Sequence, residues 1–140
     1  MKMIVYTEVE FDAAHKLGSD DLGDQELYGE CSRMHGHRYK LKVGVSELKH
    51  CRNVIATGMV INFKELKNLL KEHVIKKYDH KYLNDVLLEL KNITTAENMI
   101  IIIWQELQPL LKELHLDLRY LGLWETPTSY VELINNEETK

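Results

Sequence analysis

The sequence has few of the residues that mark secreted, fibrous or disordered chains: among 140 residues there are two cysteines, two prolines and seven glycines. Two cysteines do not make a disulfide framework, which indicates a reducing compartment and predicts a cytoplasmic protein. The scarcity of proline and glycine excludes collagen-like and low-complexity chains, and 44% hydrophobic residues exclude a disordered one. A chain of this length predicts a single domain over residues 1–140 with an adequate core.

Long apolar runs are also missing. The longest, Met99 to Trp104, is far shorter than the ~20 residues that cross a bilayer, so no membrane association is expected. The first eleven residues alternate apolar and polar side chains, unlike the continuous apolar stretch of a signal peptide. A net charge of −4 and a pI near 6.0 argue against nucleic acid as a partner, because phosphate backbones require a basic surface.

Hydrophobic periodicity predicts a β-β-α-α-β-β order. Strands with one dry face are expected at residues 3–11, 37–46, 116–125 and 129–134. Helical spacing of apolar residues, from Phe63 to Tyr78, predicts one helix over residues 62–78. The expected fold is therefore α+β, with a four-stranded antiparallel sheet and two helices on one of its faces.

The second helix is expected to begin at Thr94, because Thr94 and Glu97 match the capping-box pattern. That pattern explains Glu97 better than contact with a ligand does. Pro109 predicts a kink within the same helix. Residues 16–30 and 49–58 read as connections without regular structure.

Three histidines could meet at one end of the sheet. His35 and His37 are two residues apart in a strand, so both rings point to the same, dry face. His15 shares the parity of Phe11 on the first strand and reaches that face if the strand continues. Buried imidazoles need partners, and three of them with an open fourth position form a known catalytic zinc arrangement. The alternative is that each histidine is an isolated core or surface residue.

Cys31 lies four residues before His35. A thiol beside a metal ion or imidazolium becomes a usable base or nucleophile. It could equally be a small buried hydrophobe, or a fourth zinc ligand that would close the site and make the metal structural. Cys51 lies in a polar stretch and is assigned no role.

Two acidic positions complete the candidate set. Asp79 precedes His80, and such a pair can transfer protons, although a solvated dipeptide explains it as well. Glu125 ends an apolar strand, where a carboxylate needs a partner. A bidentate carboxylate suits the adjacent N–H donors of a pterin or guanine edge; the alternative is an exposed acid at a strand end.

The sequence resembles the 6-pyruvoyl-tetrahydropterin synthase / 6-carboxytetrahydropterin synthase family. The matching segments occur in the family's order and span nearly the whole chain: Phe-Asp-Ala-Ala-His (11–15), Cys-x-x-x-His-Gly-His-x-Tyr (31–39), Thr-Gly-Met-Val-Ile-Asn-Phe-Lys-Glu-Leu-Lys (57–67), Asp-His-x-x-Leu-Asn (79–84), Thr-Ala-Glu-Asn (95–98) and Trp-Glu-Thr (124–126).

The resemblance implies the tunnelling fold, whose subunits pair their sheets into rings, commonly as a hexamer formed by a dimer of trimers. It implies a set of roles: zinc ligands His15, His35 and His37, catalytic thiol Cys31, proton-transfer pair Asp79 and His80, and pterin anchor Glu125. Active sites in this family lie between subunits, so a homo-oligomer is expected, with catalytic groups from different chains.

The implied substrate is 7,8-dihydroneopterin triphosphate. Three residues separate Cys31 from His35, as in the 6-carboxytetrahydropterin synthases of the queuosine pathway, whereas the pyruvoyl enzymes usually have five. Asn62 points the other way, because the carboxy branch typically carries Asp there. Candidates for the triphosphate pocket are Lys16, Arg33 and Arg38.

Overall fold

A computed structural model describes residues 2–49 and 52–137, so Cys51 lies outside the described residues. The strands are β1 (Val5–His15), β2 (His35–Glu47), β3 (Lys81–Tyr82), β4 (Leu116–Thr126) and β5 (Ser129–Ile134). They form one sheet in the order β3-β1-β2-β4-β5. Antiparallel pairing joins β1 to β2, β2 to β4 and β4 to β5, which confirms the predicted antiparallel sheet.

The fifth strand corrects the predicted count of four. β3 has two residues and runs parallel to β1, with Ala13 opposite Lys81 and Ala14 opposite Tyr82. His80, which has a left-handed φ of 58°, turns the chain onto the edge of β1. Two residues are too few to show the alternation by which a strand is recognised in a sequence.

The helices are α1 (Leu22–Tyr28), α2 (Arg52–Thr57), α3 (Phe63–Leu70), α4 (Lys76–Tyr78), α5 (Leu83–Val86) and α6 (Ala96–Glu113). Both predicted long helices are present. One follows residues 62–78 as α3, a π-helical segment (Lys71–Ile75) and α4 in succession, and the other is α6, which continues unbroken past Pro109. The segments expected to be irregular contain two further helices, α1 and α2. Neither α1 nor α2 has a buried residue, so neither has the apolar stripe that would predict it.

The start of α6 differs by one residue from the prediction. Thr95 is the N-cap, and its hydroxyl accepts a hydrogen bond from the Asn98 backbone N–H at 3.3 Å. The third helical position is therefore Asn98, so Glu97 does not complete a capping box. Thr94, the predicted cap, is fully buried and its hydroxyl faces the interior.

Four buried side chains at intervals of four residues attach the α3–α4 helix to the core: Leu66, Leu70, Val74 and Tyr78. In a regular α-helix, an interval of four residues drifts about 40° around the axis at each step. The π-helical segment has wider turns and offsets this drift, which keeps Val74 and Tyr78 on the buried side. Phe63, predicted to start the same stripe, is 54% exposed.

The two faces of the sheet differ in chemistry. The inner face of β1 and β2 is buried and carries Phe11 stacked on Tyr39 with ring centroids 5.1 Å apart. On the outer face, acids on β1 lie opposite bases on β2: Glu8 opposite Lys42, Glu10 opposite Lys40 and Asp12 opposite Arg38. No helix in the described part of the chain is long and apolar enough to cross a membrane.

Gly44 lets two outer-face rings approach the sheet. A Cβ atom at this position would lie 2.6 Å from Cε1 of Tyr6 and 2.9 Å from Cβ of Tyr120. Those two rings contact each other edge to face, with centroids 5.6 Å apart. Glycine is therefore required here for close packing.

Candidate metal centre

The strand register brings the three predicted histidines together. His15 lies directly opposite His35, and His37 lies opposite Ala13, so all three rings project from the inner face at one end of the sheet. One ring nitrogen of each lies within 4.8 Å of the other two. His15 is fully buried, and the other two are partly exposed. The cluster is thus anchored in the core and accessible from one side.

Backbone carbonyls fix two of the rings. Nδ1 of His15 lies 2.8 Å from the carbonyl oxygen of Thr94, and Nδ1 of His35 lies 2.7 Å from that of Arg33. A carbonyl oxygen only accepts hydrogen bonds, so each Nδ1 carries the proton and donates it. In a neutral ring, Nε2 then has a free lone pair, as a metal ligand requires.

Glu125, at the end of β4, faces these rings. Its Oε1 lies 3.4 Å from Nε2 of His15 and 3.4 Å from Nε2 of His37. The contacts are long, and the buried Nε2 of His15 has no hydrogen-bond partner among the described residues. A lone pair opposite a carboxylate is repulsive unless a cation or proton lies between them. The arrangement therefore fits a divalent metal ion.

The charges at the site influence one another. Burial lowers the pKa of His37, the Glu125 carboxylate opposes that shift, and His15 and His35 reinforce it. A proton on Nε2 of His15 would take the place of the cation: its hydrogen bond does most to lower the pKa of Glu125, and the charge of His37 adds to the effect against the opposing influence of burial. Neutral imidazoles beside an ionised carboxylate are the protonation states in which these groups attract a cation.

Cys31 is exposed and lies in a 3₁₀ turn, Gly29–Ser32, just before β2. The backbone N–H of Leu17 donates to its carbonyl oxygen at 2.8 Å, which ties this turn to the segment after His15. Cys31 does not belong to the three-histidine group. The structure therefore does not supply it as a fourth ligand that encloses the metal.

Asp79 and His80 lie elsewhere in the chain, at the edge of β1. Oδ2 of Asp79 lies 2.9 Å from Nδ1 of His80, and Oδ1 accepts a hydrogen bond from the Asp12 backbone N–H at 2.9 Å. That bond contributes most to lowering the pKa of Asp79, and the contact with His80 adds to it. His80 is 79% exposed. Its pair faces solvent rather than the buried rings of its own chain.

The triphosphate candidates are separated by the fold. Lys16 and Arg33 line an open cavity of about 710 Å³ beside the turn that carries Cys31, together with Ser32 and Tyr82. Arg38 instead pairs with Asp12 on the outer face, with Nε 3.0 Å from Oδ1. Lys16 and Arg33 thus share one cavity, and Arg38 lies on the outer face of the sheet.

Sequence reasoning missed Thr94 and Asn84 as parts of this site. Both are buried, and Thr94 contacts His15 directly. Thr94 was interpreted as the N-cap of a helix. Only the Asp-His-x-x-Leu-Asn segment of the sequence pointed to Asn84.

Comparison with known proteins identifies the family. Residues 4–136 match the family described as 6-pyruvoyl tetrahydropterin synthase. The chain belongs to this family. It is 40% identical over 126 residues to the 6-pyruvoyl tetrahydrobiopterin synthase of Dictyostelium discoideum, covering 86% of this chain and 87% of that protein. It is 32% identical over 143 residues to the 6-carboxy-5,6,7,8-tetrahydropterin synthase of Haemophilus influenzae, covering 89% and 94%.

The solved structure of the Caenorhabditis elegans 6-pyruvoyl tetrahydropterin synthase superposes with a TM-score of 0.80 at 25% identity, covering 97% of each chain. The expected tunnelling fold is therefore confirmed. The chain is an enzyme of the pterin synthase family, and its relatives carry the names of two different synthases.

Proposed function

We propose that this enzyme converts 7,8-dihydroneopterin triphosphate and one water molecule into 6-carboxy-5,6,7,8-tetrahydropterin, acetaldehyde and triphosphate, with a zinc ion held by His15, His35 and His37. The observation that carries the proposal is the accessible three-imidazole cluster facing Glu125. A zinc ion bound there would act as a Lewis acid and lower the pKa of the substrate's side-chain hydroxyls.

Other residues of the chain have distinct tasks in this proposal. Cys31, exposed beside the segment that follows His15, is the thiol that moves a proton at the substrate side chain. Glu125 accepts hydrogen bonds from the amino edge of the pterin and fixes its orientation. Lys16 and Arg33 line the cavity that receives the triphosphate.

The Asp79–His80 pair serves a neighbouring subunit in this proposal. Within one chain the pair lies at the exposed edge of β1, away from the buried rings. In the described chain, β5 pairs only with β4, and β1 before Ala13 pairs only with β2. Such open edges are suited to pairing with another copy, and we propose a hexamer built as a dimer of trimers. Sedimentation analysis that found a monomer would contradict this assembly.

A second candidate reaction is that of 6-pyruvoyl-tetrahydropterin synthase, which eliminates triphosphate and keeps the side chain. The greater identity to the Dictyostelium enzyme, 40% against 32% for the Haemophilus enzyme, favours it. Asn62 does not discriminate, because it caps α3 by accepting a hydrogen bond from the Lys64 backbone N–H at 2.9 Å, and Asp caps helices equally well. The three-residue spacing after Cys31 favours the carboxy reaction.

Product analysis decides between the two reactions. The purified protein is incubated with 7,8-dihydroneopterin triphosphate, and both the pterin product and acetaldehyde are quantified. Acetaldehyde in equal amount to 6-carboxytetrahydropterin supports the proposal. A 6-pyruvoyl product without acetaldehyde would establish the second reaction instead.

The Cys31→Ala variant tests whether the metal site is catalytic. We expect zinc content to be unchanged, because Cys31 does not belong to the histidine cluster, and turnover to be lost. Ser32→Ala on the same turn is a control for zinc content and folding only: its hydroxyl donates a hydrogen bond to the Gly29 carbonyl oxygen, and Ser32 also lines the cavity assigned to the triphosphate. Loss of zinc and of the fold in Cys31→Ala would indicate a structural zinc module.

A further inference from the structure

The side chain of Asn84 is buried at the end of β1 and uses both ends of its amide. Its Oδ1 accepts a hydrogen bond from the Lys16 backbone N–H at 3.0 Å, and its Nδ2 donates to the Lys16 carbonyl oxygen at 2.9 Å. Only 5% of Asn84 is exposed. The amide thus pairs with Lys16 much as the backbone of a neighbouring strand would, just after the two residues of β3.

The same amide reaches the first histidine through Thr94. The Thr94 hydroxyl donates to Oδ1 of Asn84 at 3.3 Å. Thr94 in turn contacts Nδ1 of His15 through its carbonyl oxygen at 2.8 Å and its hydroxyl oxygen at 3.2 Å. One buried side chain therefore holds the residue after His15 and also the residue that fixes the His15 ring.

We propose that Asn84 is a positioning residue of the metal centre: through Thr94 and the backbone of Lys16, it holds His15 with Nε2 directed at the ion. This inference rests on the proposed function, because it takes the histidine cluster to bind zinc. Partners that orient metal-binding histidines fix the tautomer and direction of the ring, and changing them weakens metal binding about 10- to 100-fold.

Asparagine suits this position for a specific reason. It supplies an acceptor for Lys16 N–H and Thr94 hydroxyl, and a donor for the Lys16 carbonyl oxygen. Aspartate has the same shape but no amide donor, so it would face that carbonyl with a second acceptor. Its side chain would also face Oδ1 of Asn92, now 3.2 Å from Nδ2. The substitution Asn84→Asp therefore keeps the acceptor at Oδ1 but replaces the two hydrogen bonds donated by Nδ2 with repulsion between oxygens, which displaces the backbone of Lys16 next to His15 and leaves the volume nearly unchanged.

The test is zinc affinity measured by competition with a chromophoric chelator, without substrate. For Asn84→Asp we expect affinity to fall about 10- to 100-fold, and the visible spectrum of the cobalt-substituted protein to change. Asn53→Asp is the matched control, because its amide donates to the Val60 carbonyl oxygen and Asn53 lies in α2, which contacts the end of β2 opposite to His35 through the Val54 N–H and Glu47. This control should keep wild-type affinity and spectrum.

A second pair of variants applies if Asn84→Asp does not fold. Thr94→Val removes the hydroxyl between Asn84 and His15, and Thr94→Ser retains it. We expect weaker zinc binding in Thr94→Val, with affinity restored in Thr94→Ser.

Two results would overturn the inference. One is a folded Asn84→Asp protein with wild-type zinc affinity and cobalt spectrum, and the other is equal affinity in both Thr94 variants. A wild-type protein that takes up no zinc would overturn the proposed function as well. A wild-type protein that binds zinc but forms no pterin product would overturn the proposed reaction alone, and the comparison of affinities would still decide the role of Asn84.

Discussion

Gly44→Ala tests the packing of the outer face, and the distances around Gly44 determine whether the substitution raises or lowers stability. A new Cβ would approach Cε1 of Tyr6 to 2.6 Å and Cβ of Tyr120 to 2.9 Å. Tyr6 is 42% exposed and can rotate away, but Cβ of Tyr120 moves only with its backbone. Overpacking of this kind costs about 1–3 kcal/mol. Reduced freedom of the unfolded chain offsets ~0.4–1 kcal/mol of that cost.

The expected net effect is a loss of about 1–2 kcal/mol in the free energy of unfolding. For a chain of this size, that corresponds to a fall of roughly 3–8 °C in Tm. The measurement is thermal unfolding followed by far-UV circular dichroism, with near-UV spectra reporting the packing of the tyrosines. All proteins are compared at one protomer concentration, because assembly would make Tm depend on concentration.

Gly36→Ala is the matched control. Gly36 is exposed in the same strand, and a Cβ there would lie 3.6 Å from the Ala13 carbonyl oxygen, an ordinary contact. We expect stability to be unchanged or higher by up to about 1 kcal/mol, since glycine weakens a strand relative to alanine. A Gly44→Ala protein as stable as Gly36→Ala would refute the close approach of the two rings to the sheet.

Three further substitutions test the site. His35→Ala should lower zinc content measured by atomic emission, because it removes one of three converging imidazoles; full zinc content would contradict the cluster as the binding site. Glu125→Gln should weaken pterin binding in calorimetry while zinc is retained, and loss of zinc instead would make Glu125 a metal ligand. Asp79→Asn should reduce the loss of folding stability that occurs at low pH. The folded-state pKa of Asp79 is lowered, so the carboxylate stabilises the fold above its unfolded-state pKa, near 3.9, and that stabilisation is lost as pH falls through the folded-state pKa. If denaturant titrations showed the same loss of stability at low pH as in the wild-type protein, that result would argue against the contacts of Asp79 with Asp12 and His80.

The strands and the histidine cluster were predictable because the side-chain period of a strand is two residues. Once β1 and β2 were placed, parity alone put His15, His35 and His37 on one face. The approach of Glu125 to the same rings was not predictable, because it depends on how far β4 extends beside β2.

Other features depend on contacts between distant segments and leave little trace in local sequence. The two-residue β3 depends on the edge of β1, and α1 depends on the Asp21 side chain, which accepts from the Asp24 backbone N–H at 2.9 Å. The sequence has two adjacent threonines, and either could cap α6. Contact with His15 places Thr94 in the interior of the protein, so Thr95 is the N-cap. The role of Asn84 was not predictable either, because its partners Lys16 and Thr94 are 68 and 10 residues away in the sequence.

The π-helical segment has a consequence for length changes in this region. A π turn holds one more residue than the α-helical turn it replaces, so removing one residue from Lys71–Ile75 would let the helix wind regularly and leave the following residues in nearly the same orientation. Tyr78 would stay in the core, and the Asp79 carboxylate would still meet the Asp12 N–H. Removing one residue from the regular turns of α3 would instead rotate everything after it by about 100°. Single-residue length differences among homologous chains should therefore be tolerated within these five residues and avoided in α3.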